Sequence, residues 1–142
     1  MSAFWDWAVA AYARPGVAEA CLDLQHSHNQ NVPLLLWAIW QGGYLRNAVD
    51  TATQWEADVI GPLRYARRNL KRMGGFDTLR ERIKKDELDA EHALMTALEA
   101  LAEASDTTAE ARLRAVIARW GGDVPDAALT RLLAALGDSV TT

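Results

Sequence analysis

Apolar stretches with a helical period alternate along this chain with short polar or glycine-rich breaks. The most apolar of them, Val32-Pro33-Leu34-Leu35-Leu36-Trp37-Ala38-Ile39-Trp40, carries no charge and no hydrogen-bonding side chain apart from two indole N–H groups. Asn31 stands before it as an N-cap, Pro33 suits a first helical turn, and Gly42-Gly43 stops it. A bilayer span needs about 20 apolar residues, so this stretch is too short to cross one. Being apolar on every side, it predicts a helix enclosed by other helices.

The flanking segments read as amphipathic wrapping. Residues 3–13 put Phe4, Trp5, Ala8, Val9 and Tyr12 on one helical face, and Arg14-Pro15-Gly16 breaks that helix. A second helix over 15–27 turns Val17, Ala20, Cys21 and Leu24 inward, so Cys21 reads as a buried thiol. A fourth, from residue 48 or 50 to 71, contains Gly61-Pro62, where a kink is expected. Trp55, Val59, Leu63, Ala66, Leu70 and Met73 keep a common stripe through it, which favours one bent helix over two. The fifth and longest helix, 77–104, has two apolar rows; Glu87 interrupts one and His92 the other. Thr107 and Glu110 have capping-box spacing for a sixth helix, which Gly121-Gly122 ends. A seventh covers 125–136, with Gly137 at its C′ position. The pattern thus predicts an all-α fold: a compact single-domain bundle of six to seven helices over residues 1–137, one of them Pro-kinked, and a flexible tail at 138–142.

Composition changes this picture little. The chain has 142 residues, half of them hydrophobic, and one cysteine, which fits a reducing cytoplasm. Charge changes it more. The net charge of −4 conceals a block at 64–85 with 9 basic and 2 acidic side chains, net +7, between two acidic flanks.

One string of residues is specific when taken together. It comprises Phe4-Trp5, Ala13-Arg14-Pro15-Gly16-Val17, Ala20-Cys21-Leu22-x-Leu24-Gln25, Leu34-Leu35-Leu36-Trp37, Trp55, Pro62-Leu63-Arg64 and Arg67-Arg68-x-Leu70-Lys71. It resembles a family of small proteobacterial helical proteins of unknown function, over roughly residues 4–101. The resemblance implies a bacterial cytosolic protein and carries over no activity, cofactor or catalytic residue.

Three groups of residues bear on function. Arg64, Arg67, Arg68, Lys71 and Arg72 lie at helical spacing, and arginine forks suit phosphates and carboxylates. They define a candidate surface for an anionic partner. The competing reading is a solvated face paired with the acidic run that begins at Asp86. A protein partner or a homodimer is favoured over nucleic acid, because the chain as a whole is acidic and shows no nucleic-acid-binding module. Among six tryptophans, Trp7 is a candidate interface residue, and Trp55 marks a possible small-molecule pocket beside the Pro62 kink. The carboxylate and imidazole positions Asp89 and His92, Glu56 and Asp58, and the pair His26 and His28 lack the spacing of a metal site, so no metal and no cofactor is expected. His92 reads as half-buried, and Glu87 as paired with an arginine of the fourth helix. No phosphate loop, nucleophile elbow or zinc spacing is present. The reading leans away from an enzyme, toward a binding or adaptor protein with a small-molecule-binding or catalytic alternative.

Overall fold

A computed structural model describes residues 2–137. The chain forms α1 (Ala3–Tyr12), α2 (Val17–His28) and α3 (Val32–Trp40). α4 is continuous through three stretches: Leu45–Trp55, a π-helical turn Glu56–Ile60, and Gly61–Met73. Then follow α5 (Asp77–Glu99), α6 (Ala109–Trp120) and α7 (Asp126–Leu136). The class is all-α, as the periodicity predicts. The only extended pairing among the described residues is an isolated bridge between Gly43 and Ala102.

α3 is the hub. Residues 33–39 are all buried, and the helix packs against α1, α2, α4, α5 and α6. α7 completes the bundle by packing on α2. An enclosed apolar helix cannot satisfy its own end groups, so its neighbours must. At the N-terminus Asn31 Oδ1 accepts from the Leu34 amide at 3.0 Å, as expected of a cap. At the C-terminus Arg112 of α6 donates from Nε to the Ala38 carbonyl at 2.7 Å and from Nη2 to the Ile39 carbonyl at 3.0 Å. A guanidinium on a helix C-terminus also opposes the negative end of the dipole. The chain leaves the hub through Gly43, whose amide neighbourhood is so tight that a Cβ would lie 2.1 Å from the Leu101 carbonyl oxygen.

Three boundaries differ from the sequence reading. α4 begins at Leu45, three residues before Ala48, and α5 ends at Glu99 rather than near residue 104. The α6 cap is Thr108, whose Oγ1 accepts from the Ala111 amide at 3.1 Å, while Thr107 bonds Ser105 instead. Residues 138–142, expected to be a flexible tail, lie outside the described residues.

The expected kink is replaced by a widened turn. Helical dihedrals run unbroken from Trp55 through Gly61, and the Gly61 amide bonds back five residues to the Glu56 carbonyl. A Cβ on Gly61 would sit 2.5 Å from that carbonyl oxygen, so the turn requires glycine. The wider turn gives the Pro62 ring, which lacks an N–H, room that a regular helix denies it. It also advances the helical phase by one residue. Ile60 is therefore the buried residue, while Val59, assigned to the core stripe from sequence, is exposed. Met73, at the end of the same stripe, is also exposed.

Replacing Arg112 by methionine keeps the stem and strips the donors from the Ala38 and Ile39 carbonyls. We expect a loss of about 2 kcal/mol of unfolding free energy, read by urea denaturation.

Candidate functional site

Beyond the π turn, α4 no longer faces the core. None of its residues from Gly61 to Met73 is buried, and the first buried residue of α5 is Glu87. The two helices pack against each other as a hairpin closed by Gly74-Gly75, both with positive φ. Leu63, Ala66, Leu70 and Ile83 form its half-buried seam.

At the root of the hairpin lies an ionic cluster. Glu87 is 5% exposed, on the apolar row where sequence places it. Arg67 grips it with both ends of its fork, Nε to Oε1 at 2.6 Å and Nη2 to Oε2 at 3.4 Å. Arg64 donates from Nε to Glu87 Oε2 at 3.3 Å and from Nη1 to Glu56 Oε2 at 3.1 Å, and its Nη2 lies 3.9 Å from Glu91 Oε1. Asn31 Nδ2 reaches Glu56 Oε1 at 3.4 Å, which ties the hub's cap to the same cluster. Buried charges persist only when paired, and here Glu87 has two partners. Three carboxylates nevertheless share two guanidiniums. The shortfall falls on Glu91, which has only the long Arg64 contact. Burial, reinforced by the Glu87 charge, pushes the Glu91 carboxyl up to about 7.

The five cations assigned to an anionic-partner surface therefore separate. Arg64 and Arg67 turn inward to the cluster. Arg68 Nη2 sits 2.6 Å from His26 Nδ1, Arg72 donates to the Asn69 side-chain oxygen, and Lys71 is exposed. Partial burial, with Arg68 close by, holds His26 below its ordinary pKa, so it stays a neutral acceptor at neutral pH. The helix face thus keeps Arg68, Lys71 and Arg72, and α5 adds Arg82, Lys84 and Lys85. Sequence reasoning places those α5 residues in the basic block without assigning them to the surface.

A second feature escaped the sequence. α1 has two apolar faces instead of one. Phe4, Ala8 and Ala11 enter the core, while Trp5, Val9 and Tyr12 border a groove of about 450 Å³. The opposite wall is Leu88, Glu91 and Met95 of α5, and the floor includes Val32, Pro33 and Leu36 of α3. Leu88, placed on an apolar row, is 56% exposed there. His92, expected to be half-buried, is exposed and stacks on Trp5 with ring centroids 3.8 Å apart. Trp7 and Trp55 are both half-buried against the core, and neither Trp55 nor Pro62 lines this groove. Cys21 is fully buried, and loss of hydration pushes its thiol up to about 12, so it is inert as a nucleophile. His26 and His28 occupy the last turn of α2, and no group of metal-ligating side chains forms among the described residues. No helix among them is long and apolar enough to cross a membrane.

These features define an all-α bundle with an exposed basic hairpin and a separate apolar groove. The chain belongs to the family described as "Protein of unknown function (DUF2390)", whose model matches residues 3–98. That span holds α1 to α4 and nearly all of α5, hence the hairpin, the ionic cluster and the groove. No curated protein and no solved structure matches the chain.

Two substitutions separate the roles of the carboxylates. Glu87→Ala strands two guanidiniums and should cost about 3–5 kcal/mol in chemical denaturation. Glu91→Gln should act in the opposite sense above neutral pH. A carboxyl raised in the folded state binds a proton that the unfolded chain has released. Wild-type stability therefore falls as pH rises from about 4.5 to 7 and stays lower above that. The glutamine variant lacks this slope, so its melting temperature should gain on the wild type between pH 5 and pH 8. Parallel pH profiles would count against the assignment.

Proposed function

We propose that this is a non-enzymatic binding protein that docks an acidic protein surface on its α4–α5 hairpin. The observation that supports this reading is the surface composition of residues 61–86, none of which is buried. Tyr65 (71% exposed), Met73 (67%), Phe76 and Leu79 stand among Arg68, Lys71, Arg72, Arg82, Lys84 and Lys85. A hairpin that needed only solubility would not expose four large apolar side chains. Aromatic and methionine side chains beside arginine are what protein interfaces select. Among the described residues Lys71, Arg82 and Lys84 form no ion pair, and Arg68 and Arg72 have neutral partners, so their charge is available to an acidic partner. The apolar residues between the cations weigh against nucleic acid, whose backbone rewards cations alone. An acidic partner includes a second copy of this chain, since residues 86–142 carry 4 basic and 11 acidic side chains.

Arg64 and Arg67 stabilise the fold and are unsuited to a binding test. The informative variant combines Lys71→Glu, Arg72→Glu, Arg82→Glu and Lys84→Glu. Its unfolding free energy should stay within about 1 kcal/mol of wild type, as expected of exposed sites. Immobilised wild type should retain poly-glutamate and release it as salt rises, and the variant should retain none. Oligonucleotides or phosphatidylglycerol vesicles held more tightly than poly-glutamate would reassign the surface. Equal retention of poly-glutamate by wild type and variant would refute it.

A further inference from the structure

The groove between α1 and α5 lies apart from the exposed tip of the hairpin and calls for its own account. Its volume, about 450 Å³, falls within the range of small-molecule sites, and its walls are mostly apolar. Two aromatic residues, Trp5 and Tyr12, border it from α1. Its one carboxylate is Glu91. The groups that surround that carboxyl are Tyr12 from α1, Glu56, Arg64 and Arg67 from α4, and Glu87 on its own helix. α3 contributes no ionisable side chain, and the α2 residue in the groove is the neutral Gln25. Glu56 and Glu87 take the close contacts of both guanidiniums. The groove therefore presents an under-compensated carboxylate at the edge of an aromatic and aliphatic trough.

We infer that the groove is a binding site for an organic ammonium with an apolar body, its charge on Glu91 and its body along Trp5, Tyr12, Leu36, Leu88 and Met95. Charge complementarity selects the cation, since a third positive charge balances the three carboxylates of the cluster. The aromatic faces favour the same sign, because ring quadrupoles attract ammonium groups. An anionic amphiphile meets the opposite situation: its charge falls beside Glu91 and Glu87 with no uncommitted cation on the wall. The raised pKa of Glu91 adds a pH dependence. Above about 7 the carboxylate is ionised and attracts the ammonium; well below that it is neutral and the preference fades.

Three probes with one carbon skeleton test this: 3-phenylpropylamine, 3-phenylpropanol and 3-phenylpropionate. Binding is followed by two-dimensional NMR of the full chain, with groove residues as reporters. At pH 8 the amine should bind about tenfold more tightly than the alcohol, and the propionate most weakly, as a partly desolvated ion pair with ring contacts implies. The margin of amine over alcohol should shrink to about twofold or less at pH 5.5, where the amine itself is still protonated. Glu91→Gln should remove that margin at pH 8 while the alcohol binds as before, which shows that the groove is intact. Val9→Trp, which fills the groove from an exposed position, should abolish shifts from all three probes. Equal binding of amine and alcohol at pH 8 would overturn the inference. So would a margin that survives in Glu91→Gln, preferred binding of the propionate, or the absence of groove shifts with every probe at millimolar concentration.

Discussion

A helix with no polar surface of its own depends on its neighbours for every hydrogen bond at its ends. α3 sets that constraint, and the rest of the bundle answers it. Its lateral surface is covered by five helices. Its first turn is closed by Asn31 and its last carbonyls by Arg112, which reaches across from α6. Those two side chains also orient their surroundings. Arg112 packs so closely on Gly42 that a Cβ there would lie 2.7 Å from its Cδ. Asn31 extends the hub's polar end to Glu56 and so to the cluster at the root of the hairpin.

That cluster divides core from exposed surface. On one side α4 and α5 bury apolar residues against the hub. On the other they pack only along their own seam. Arg64 and Arg67 mark the boundary because a guanidinium tolerates partial burial when its fork is filled by carboxylates. The groove opens on the same boundary, with Glu91 as the carboxylate that the two arginines do not fully compensate.

Much of this was legible in the sequence, for definite reasons. A nine-residue run without a charge has no exposed face to offer, so the hub was readable at once. Cys21 repeats with Val17 and Leu24 at core spacing, and Glu87 on an apolar row required an arginine nearby; both are as expected. Other features escaped because they depend on tertiary context. Periodicity assumes a constant 3.6 residues per turn, so the phase change at Glu56–Ile60 moved burial from Val59 to Ile60 without any sign in the pattern. A broad apolar face on α1 looks the same whether all of it is covered or, as here, one edge borders a groove. The inward turn of Arg64 and Arg67 depends on which part of α5 lies opposite, which spacing along α4 does not encode.

The π turn also makes α4 sensitive to chain length rather than to residue identity at most of its positions. Ala57 and Asp58 are exposed, and exchanging them alters little beyond the surface. Deleting either one would let the helix revert to regular winding, and everything after it would rotate by about 100° relative to the hub. Arg64 and Arg67 would swing off Glu87, and the apolar seam of the hairpin would turn to water. A single-codon deletion between two replaceable residues would thus do more harm than most substitutions in the core. This helix therefore admits variation in sequence but not in length.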